Sequence, residues 1–238
     1  MTIDRRTLGL GLASALLLSA GRAEAASDEE LARLIQDGRL VDAWPAADRA
    51  LEGRTSNTLR LIAGALRFAN GDYSGAERFF DSDEPADGFF GSIGPAGSYL
   101  MGGPLDVDVL RTRITSQQWR YLASIRAGES DVGADQLDEI LTADIEAYVQ
   151  RQAALERTFY DGFVLSIASS PGRTRFLDNQ AVRAGAQHRC TAHFIRAEFA
   201  LAANKMTDAR TSLDAATATA QPELLEFHVA GAERARLG

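Results

Sequence analysis

A short phrase that recurs along the chain constrains its fold more than any other sequence feature. The phrase runs glycine, polar residue, bulky apolar residue, two variable residues and alanine, and its clearest copies are 38–43 and 71–76. Glycine can adopt the left-handed backbone that ends a helix, and a small alanine lets a second helix pack closely against the first. The phrase therefore predicts a tight hairpin of two antiparallel helices.

A third copy of the phrase occupies 204–209, where Asn204 replaces glycine. Asparagine also tolerates the left-handed conformation. Ala43 and Ala76 are 33 residues apart, and Ala76 and Ala209 are 133 apart, which is close to four such steps. A weaker copy fits 105–110 and ends 34 residues beyond Ala76. We expect helix pairs to recur about every 33 residues.

The rest of the chain also follows the helical period. Apolar residues recur at spacings of three and four, and no sustained alternation predicts a β-strand. The apolar faces are Leu31, Leu34 and Ile35; Leu137, Ile140, Leu141, Ile145 and Tyr148; and Phe194, Ala197 and Leu201. Glycine or proline interrupts the pattern at 85–104, 128–133, 171–172 and 184–185, which are predicted helix connections. The sequence therefore predicts an all-α protein.

Residues 1–25 are predicted to be a cleaved signal peptide. Arg5 and Arg6 precede an apolar run over 8–20, which is too short to span a bilayer, and 23–25 fits the small-x-small site of signal peptidase. The paired arginines resemble a twin-arginine export signal, with an ordinary secretory signal as the alternative. We expect cleavage after Ala25, a periplasmic location, and one domain over 26–238 with a glycine-rich insertion near 86–104.

Cysteine use and charge narrow the function classes. Cys190 is the only cysteine, so the chain cannot form an internal disulfide, and no cysteine follows the apolar run to carry a lipid anchor. The net charge is −8, and it is −9 without residues 1–25, which carry +1. An acidic chain without clustered Lys and Arg disfavours nucleic acid and anionic membrane surfaces as partners. We expect a soluble exported protein with no membrane span.

Candidate catalytic and metal-binding residues are few. No nucleophile-elbow, zinc-protease or phosphate-loop motif occurs, so neither enzyme activity nor a cofactor is predicted. His188, Cys190 and His193 form a string of zinc-ligand types. On one helix, His188 points about 160° away from Cys190 and about 140° away from His193, so the three cannot converge on one ion. No metal site is predicted, and a metal-binding or small-molecule-binding protein is the alternative function.

The segment 88–103 is rich in glycine, which stands at every third position from 88 to 97. Two interpretations are open. The segment is either a decayed first helix of a repeat, in which glycine permits close packing, or a loop that displays aromatic side chains to a partner. On the second interpretation the partner-binding residues are Phe89, Phe90 and Tyr99, with Met101 beside them.

The hairpin phrase resembles the tetratricopeptide repeat, whose turn reads Gly-Asp-Tyr-x-x-Ala. The best match is 59–80. Gly64 falls on the small position of the first helix, 71–73 on the turn, Ala76 on the small position of the second helix, and Phe80 on the following aromatic position. The resemblance implies an α-solenoid of antiparallel helix hairpins.

Residues 190–237 resemble more specifically the final repeat of NlpI-type periplasmic proteins. The likeness lies in the phrase 192–199, in the hairpin after it and in 221–227, and the segments 119–122 and 159–167 echo the same layout. The family binds partners on the concave surface formed by the first helices of its repeats. The positions implied for this chain are Leu61, Ala65, Phe68 and Ala69 in the second repeat, and Phe194, Glu198, Leu201 and Ala202 in the last.

The resemblance implies a scaffold or adaptor in the cell envelope that binds a protein or peptide and catalyses no reaction. By analogy with the NlpI type, the partners would be cell-wall hydrolases or a processing protease. Homo-oligomerisation through an exposed repeat face is a further interpretation, because a terminal repeat needs a polar cap.

Overall fold

The computed structural model describes residues 22–52, 56–80, 107–129, 177 and 185–238. These residues form helices and connecting turns without any β-strand, so the predicted all-α class is confirmed for them. The predicted helix face over 137–148 and the glycine-rich segment lie outside the described residues. In chain order the helices are α1 (Arg22–Gln36), α2 (Leu40–Leu51), α3 (Asn57–Ala69), α4 (Tyr73–Phe80), α5 (Val107–Ala127), α6 (Ala186–Ala202), α7 (Met206–Ala218) and α8 (Leu225–Arg236).

Three helix pairs, α1 with α2, α3 with α4, and α6 with α7, are joined by the same turn. Its central residue is Gly38, Gly71 or Asn204, each with a left-handed φ, of +70°, +83° and +56° respectively. The N–H of this residue donates to the carbonyl three residues earlier, and the next N–H donates to the carbonyl five residues earlier, at 2.8 to 3.0 Å. This double hydrogen bond is the Schellman motif. The three predicted hairpins are therefore present and have equivalent turns.

Small residues allow the helices of each hairpin to approach closely. Ala43, Ala76 and Ala209 are fully buried, as the phrase predicts. At Gly64 on α3, an added Cβ would lie 2.5 Å from Cε1 of Phe80 on α4. Because Gly64 has no side chain, the ring of Phe80 can lie directly against the backbone of α3.

The apolar residue of the phrase is buried to different degrees in the three copies. Leu40 is buried and Tyr73 is half-buried, but Met206 is 44% exposed. Met206 is exposed because the whole third turn, 202–208, faces solvent. The second turn, in contrast, is covered in part by α8, which brings Nη1 of Arg236 close to Gly71.

Helix α5 ends in a fourth turn of the same kind. Gly128 has a φ of +86°, its N–H donates to the carbonyl of Ile125, and the N–H of Glu129 donates to the carbonyl of Ser124. This turn lies at one of the predicted helix connections. The weaker copy at 105–110 overlaps the start of α5, which begins at Val107, and 105–106 lie outside the described residues.

Aromatic rings from α3, α4, α5 and α6 meet in the centre of the core. The ring of Trp119 on α5 lies 5.3 Å from that of Phe68, 5.0 Å from that of Phe194 and 6.0 Å from that of Phe80, measured between centroids. All four side chains are almost completely buried. The predicted apolar faces of α1 and α6 are buried as well, at Leu31, Leu34, Ile35, Phe194, Ala197 and Leu201.

The last helix connects distant parts of the chain. Helix α8 packs against α6 and α7, the hairpin that precedes it in the chain. It also packs against α2 and α3. In an open solenoid each repeat contacts only its neighbours. The described helices therefore bring the last hairpin onto the first two, and the predicted solenoid arrangement stays a prediction because 130–176 lie outside the described residues.

Helix α1 begins at Arg22, so the predicted cleavage site after Ala25 lies in its first turn. Cleavage itself stays a prediction, and residues 1–21 lie outside the described residues. None of the described helices combines the length and the apolar character that crossing a bilayer requires.

Candidate functional site

Five side chains from four helices form a buried charge cluster where α8 meets the second hairpin. Tyr73 begins α4, directly after the left-handed turn at Gly71, and Arg126 lies in the last turn of α5. Glu198 stands on α6, and α8 contributes Glu233 and Arg236. The buried charge cluster therefore consists of Tyr73, Arg126, Glu198, Glu233 and Arg236.

Arg126 is the centre of the buried charge cluster. Its Nη1 donates to Oε2 of Glu198 and lies 3.7 Å from Oε1 of Glu233. Its Nη2 donates to the hydroxyl of Tyr73, and its guanidinium carbon lies 4.5 Å from the centroid of the Tyr73 ring. This geometry combines charge-assisted hydrogen bonds with a cation–π contact.

Glu233 is the group through which α8 enters the cluster. Its Oε1 accepts a hydrogen bond from the Tyr73 hydroxyl at 3.3 Å and another from Nη2 of Arg236, three residues further along α8. The Glu233 side chain is 3% exposed, whereas that of Arg236 is 37% exposed. Arg236 thus covers the Glu233 carboxylate from the solvent side.

Burial governs the electrostatics of the cluster. Desolvation and the nearby Glu233 carboxylate raise the pKa of Glu198 to about 8, against the opposing effect of Arg126. Desolvation likewise raises the pKa of Glu233, and it raises the pKa of Tyr73 to about 12. Two carboxyl groups therefore compete for one well-placed guanidinium, and protonation of either one relieves their repulsion.

One atom of the cluster lacks a hydrogen-bond partner among the described residues. Oε1 of Glu198 is buried and accepts no hydrogen bond, although Oε2 of the same carboxyl pairs with Arg126. A buried polar atom without a partner is uncommon and is destabilising. The cluster therefore retains an unpaired carboxyl oxygen next to Arg126.

Arg126 and Tyr73 together offer hydrogen-bond donors to carboxyl groups. In this structure Arg126 pairs with Glu198 on α6, and Glu233 on α8 accepts the hydrogen bond from Tyr73 with its Oε1 3.7 Å from Nη1 of Arg126. The sequence patterns did not predict this pair. The available signals were the tyrosine of the Gly-Asp-Tyr turn and an arginine just before Gly128, but nothing local shows that these two residues meet.

The predicted partner-binding residues lie mostly inside the core. Phe68 and Phe194 are fully buried in the aromatic centre, and Glu198 is fully buried in the charge cluster. Leu201 is 7% exposed, and Leu61 is half-buried against the core. The loop candidates Phe89, Phe90 and Tyr99 lie outside the described residues. Direct contact between a partner and Phe68, Phe194 or Glu198 would therefore require neighbouring helices to move.

A second cluster joins the first two hairpins around Arg67. Nη2 of Arg67 donates to both carboxylate oxygens of Asp48 on α2, at 3.1 and 2.9 Å, and Nη1 donates to Asp72 at 3.2 Å. The guanidinium carbon lies 4.9 Å from the ring centroid of Trp44 and 4.6 Å from that of Phe79. Such planar pairing between two aromatic rings suits arginine and not lysine.

The string His188, Cys190 and His193 lies along α6. Within the residues that the structure describes, no group of three or more His, Cys, Asp and Glu side chains could hold a metal ion. Cys190 is fully buried, and desolvation raises the pKa of its thiol to about 11.

Nε2 of His228 lies 2.7 Å from the carbonyl of Pro222, and burial lowers the pKa of this histidine.

Comparison of the chain with protein-family models, with curated proteins and with solved structures finds no match to any of them. What defines the class of this protein is therefore its own geometry, namely all-helical described residues with three equivalent hairpins. The likeness to tetratricopeptide repeats, and to the NlpI type in particular, stays a prediction that these hairpins support.

Proposed function

We propose that the chain is an exported helical-repeat protein of the tetratricopeptide type, which binds a protein or peptide partner in the cell envelope and catalyses no reaction of its own. Residues 1–25 would direct its export to the periplasm. Cell-wall hydrolases or a processing protease are the partners that analogy with NlpI-type proteins implies.

The observation that carries this proposal is the equivalence of the three hairpins. Turns centred on Gly38, Gly71 and Asn204 have the same left-handed residue and the same pair of hydrogen bonds. The close approach at Gly64 and Phe80 adds the packing that the repeat positions imply. Hairpin repeats present extended surfaces built from successive helices, and such surfaces bind proteins and peptides.

The protonation state of the Cys190 thiol supports the proposed absence of catalysis. A thiol must ionise to act as a nucleophile, and the pKa of about 11 leaves Cys190 almost entirely protonated at neutral pH. Its side chain is also fully buried. Cys190 therefore suits the packing of α6 against its neighbours.

The burial of the predicted groove residues decides where binding can be tested. Truncation of Phe68 or Phe194 to alanine would cost about 3 to 5 kcal/mol of folding free energy, because each ring fills the core. Such variants cannot separate binding from folding. Leu61 on α3 is half-buried and belongs to the same predicted surface, so it is the better probe.

Site-specific photo-crosslinking in the periplasm tests the proposal. A photoreactive residue is placed at position 61 in one variant and at position 41 in another, where Val41 on α2 is 71% exposed. We expect position 61 to capture a defined envelope protein and position 41 to capture little of it. The partner is then purified, and its affinity for the Leu61→Ser variant should be about tenfold weaker, which corresponds to about 1.4 kcal/mol.

Equal capture at both positions would show that the predicted surface does not select the partner. Absence of any saturable complex between the two purified proteins would refute the proposed function itself. The Val41→Ser variant serves as the control in the affinity measurement, because it removes an apolar side chain of similar size outside the predicted surface.

A further inference from the structure

Helix α8 covers the helices that carry the predicted groove residues. It follows the last hairpin in the chain and packs against α3 as well as α6. One face of α8 points into the protein, and its buried residues are Leu225, His228, Val229, Ala230 and Glu233. Leu225, Val229 and Glu233 recur every four residues and define the middle of this face. An amphipathic helix of the chain itself therefore already packs on the two helices that carry the predicted partner positions.

The inward face of α8 is anchored by small apolar side chains and one carboxylate. Val229 and Ala230 fill its middle, and Glu233 reaches the buried charge cluster. The groups that receive this carboxylate, Arg126 and Tyr73, belong to α5 and α4. Arg126 and Tyr73 therefore lie on the body of the protein, separate from the helix that supplies this carboxylate, and Arg126 also pairs with Glu198 on α6.

The fit of α8 is incomplete. With α8 in place, Oε1 of Glu198 remains buried without a hydrogen-bond partner among the described residues. The segment that leads into α8 also contains Ala220 with a φ of +51°, a left-handed conformation that alanine adopts only at an energetic cost. A helix that offered a hydrogen-bond partner to Oε1 of Glu198, free of this connection, would fit the same surface better.

We propose that the surface beneath α8 is a receptor for an amphipathic helix of a partner protein, which displaces α8 and presents a carboxylate to Arg126 and Tyr73. The partner helix has apolar residues at positions i and i+4, a small residue at i+5 and an acidic residue at i+8, as Leu225, Val229, Ala230 and Glu233 do in α8. This inference rests on the proposed function and names the chemistry of the partner.

The inference is tested on the full chain by adding a peptide copy of α8 and measuring whether it binds in place of α8. The probe is a fluorescein-labelled synthetic peptide with the sequence of residues 221–238. The Glu233→Gln chain keeps the receptor groups but weakens the internal occupant, so we expect it to bind the peptide at least tenfold more tightly than the wild-type chain does. The apparent affinity for the peptide is proportional to the fraction of chains in which α8 has left the surface.

Two controls make the result specific. The Glu77→Gln chain undergoes the same chemical change at a carboxylate that pairs with Arg120, away from α8, and should bind like the wild-type chain. A peptide carrying Glu233→Gln should bind the Glu233→Gln chain at least tenfold more weakly than the wild-type peptide. Equal affinity of the wild-type peptide for the Glu233→Gln and wild-type chains, or no binding to either, overturns the inference.

Native-state hydrogen exchange provides a second measurement that needs no variant. In the wild-type chain we expect the amides of α8 to exchange at least tenfold faster than those of α6, because α8 opens without global unfolding. Equal rates would show that α8 is a permanent part of the core and would overturn the inference. If position 61 captures a partner while the peptide fails to exchange, the proposed function stands and only this inference falls.

Discussion

At the scale of single residues, Gly38 and Gly71 share a left-handed backbone but differ in their surroundings. An added Cβ at Gly38 would meet nothing within 4 Å, whereas at Gly71 it would lie 2.9 Å from Nη1 of Arg236. Gly38→Ala should therefore lower the free energy of unfolding by about 1 kcal/mol through conformation alone. Gly71→Ala should lower it further because it also disturbs Arg236.

Urea denaturation of the two variants measures this difference, with the wild-type chain as reference. A loss at Gly71 no larger than the loss at Gly38 would mean that Arg236 does not lie against the second turn. Stability unchanged in both variants would contradict the left-handed turns themselves.

Glu198 makes the stability of the fold depend on pH. Because its pKa rises from an ordinary value of 4.5 to about 8, the folded state keeps a proton that the unfolded chain has released. The free energy of unfolding should therefore fall as the pH rises from about 5 to about 8. Glu198→Gln should reduce this decrease in unfolding free energy by on the order of 1 kcal/mol. The remaining pH dependence should come from Glu233, whose pKa is also raised.

Thermal or urea unfolding of wild type and Glu198→Gln at several pH values tests this sign. A wild-type stability that rises over the same range would contradict the assignment of a protonated Glu198. An identical slope in both proteins would place the titrating group elsewhere.

Residues that act through their own backbone could be predicted from the sequence, and those that act through distant contacts could not. The left-handed roles of Gly71 and Asn204 follow from local chemistry, since these two residue types tolerate that conformation. The pairing of Tyr73 with Glu233 joins positions 160 apart. No periodicity encodes such a pair, so the buried charge cluster emerges only from the fold.

At the scale of the helices, Arg67 joins the first hairpin to the second. Its guanidinium pairs with Asp48 on α2 and with Asp72 at the start of α4, and it lies between two aromatic rings. Arg67→Lys keeps the charge but loses the planar fork and the stacking. We expect it to lower the free energy of unfolding by about 1 to 2 kcal/mol.

The same substitution at Arg39, which forms an exposed ion pair with Asp42 within one hairpin, is the matched control. Exposed pairs of this kind contribute little, so Arg39→Lys should change stability by less than about 0.5 kcal/mol. Similar losses in the two variants, read from urea midpoints, would mean that Arg67 does not hold the hairpins together.

Helix positions were largely predictable from the sequence, but helix neighbours were not. The phrase at 71–76 places the start of α4 correctly because a glycine turn and a small alanine are local requirements. The packing of α8 on α3 depends on how the whole chain curves. Phe68 and Phe194 are buried because their rings meet that of Trp119 on α5, so positions implied by the repeat pattern are core residues.

At the scale of the whole molecule, the account depends on α8 reaching back to the second hairpin. The contact places α8 on α3 and α6, which carry the predicted partner positions, and it places the Glu233 carboxylate beside Tyr73 and Arg126. If a partner helix displaces α8, as proposed, α8 regulates access to this surface. The proposed receptor therefore depends on one long-range contact, whereas the proposed function rests on the three equivalent hairpins.

A double-mutant cycle between Tyr73 and Glu233 tests that contact most directly. Unfolding free energies are measured for wild type, Tyr73→Phe, Glu233→Gln and the double variant. A second cycle, between Tyr73→Phe and Asp214→Asn, is the control. Asp214 suits this purpose because it binds Arg234 on the exposed side of α8. The account predicts a coupling energy of about 1 kcal/mol for Tyr73 with Glu233 and additivity for the control. Additive effects of Tyr73→Phe and Glu233→Gln would contradict the placement of α8 on the second hairpin.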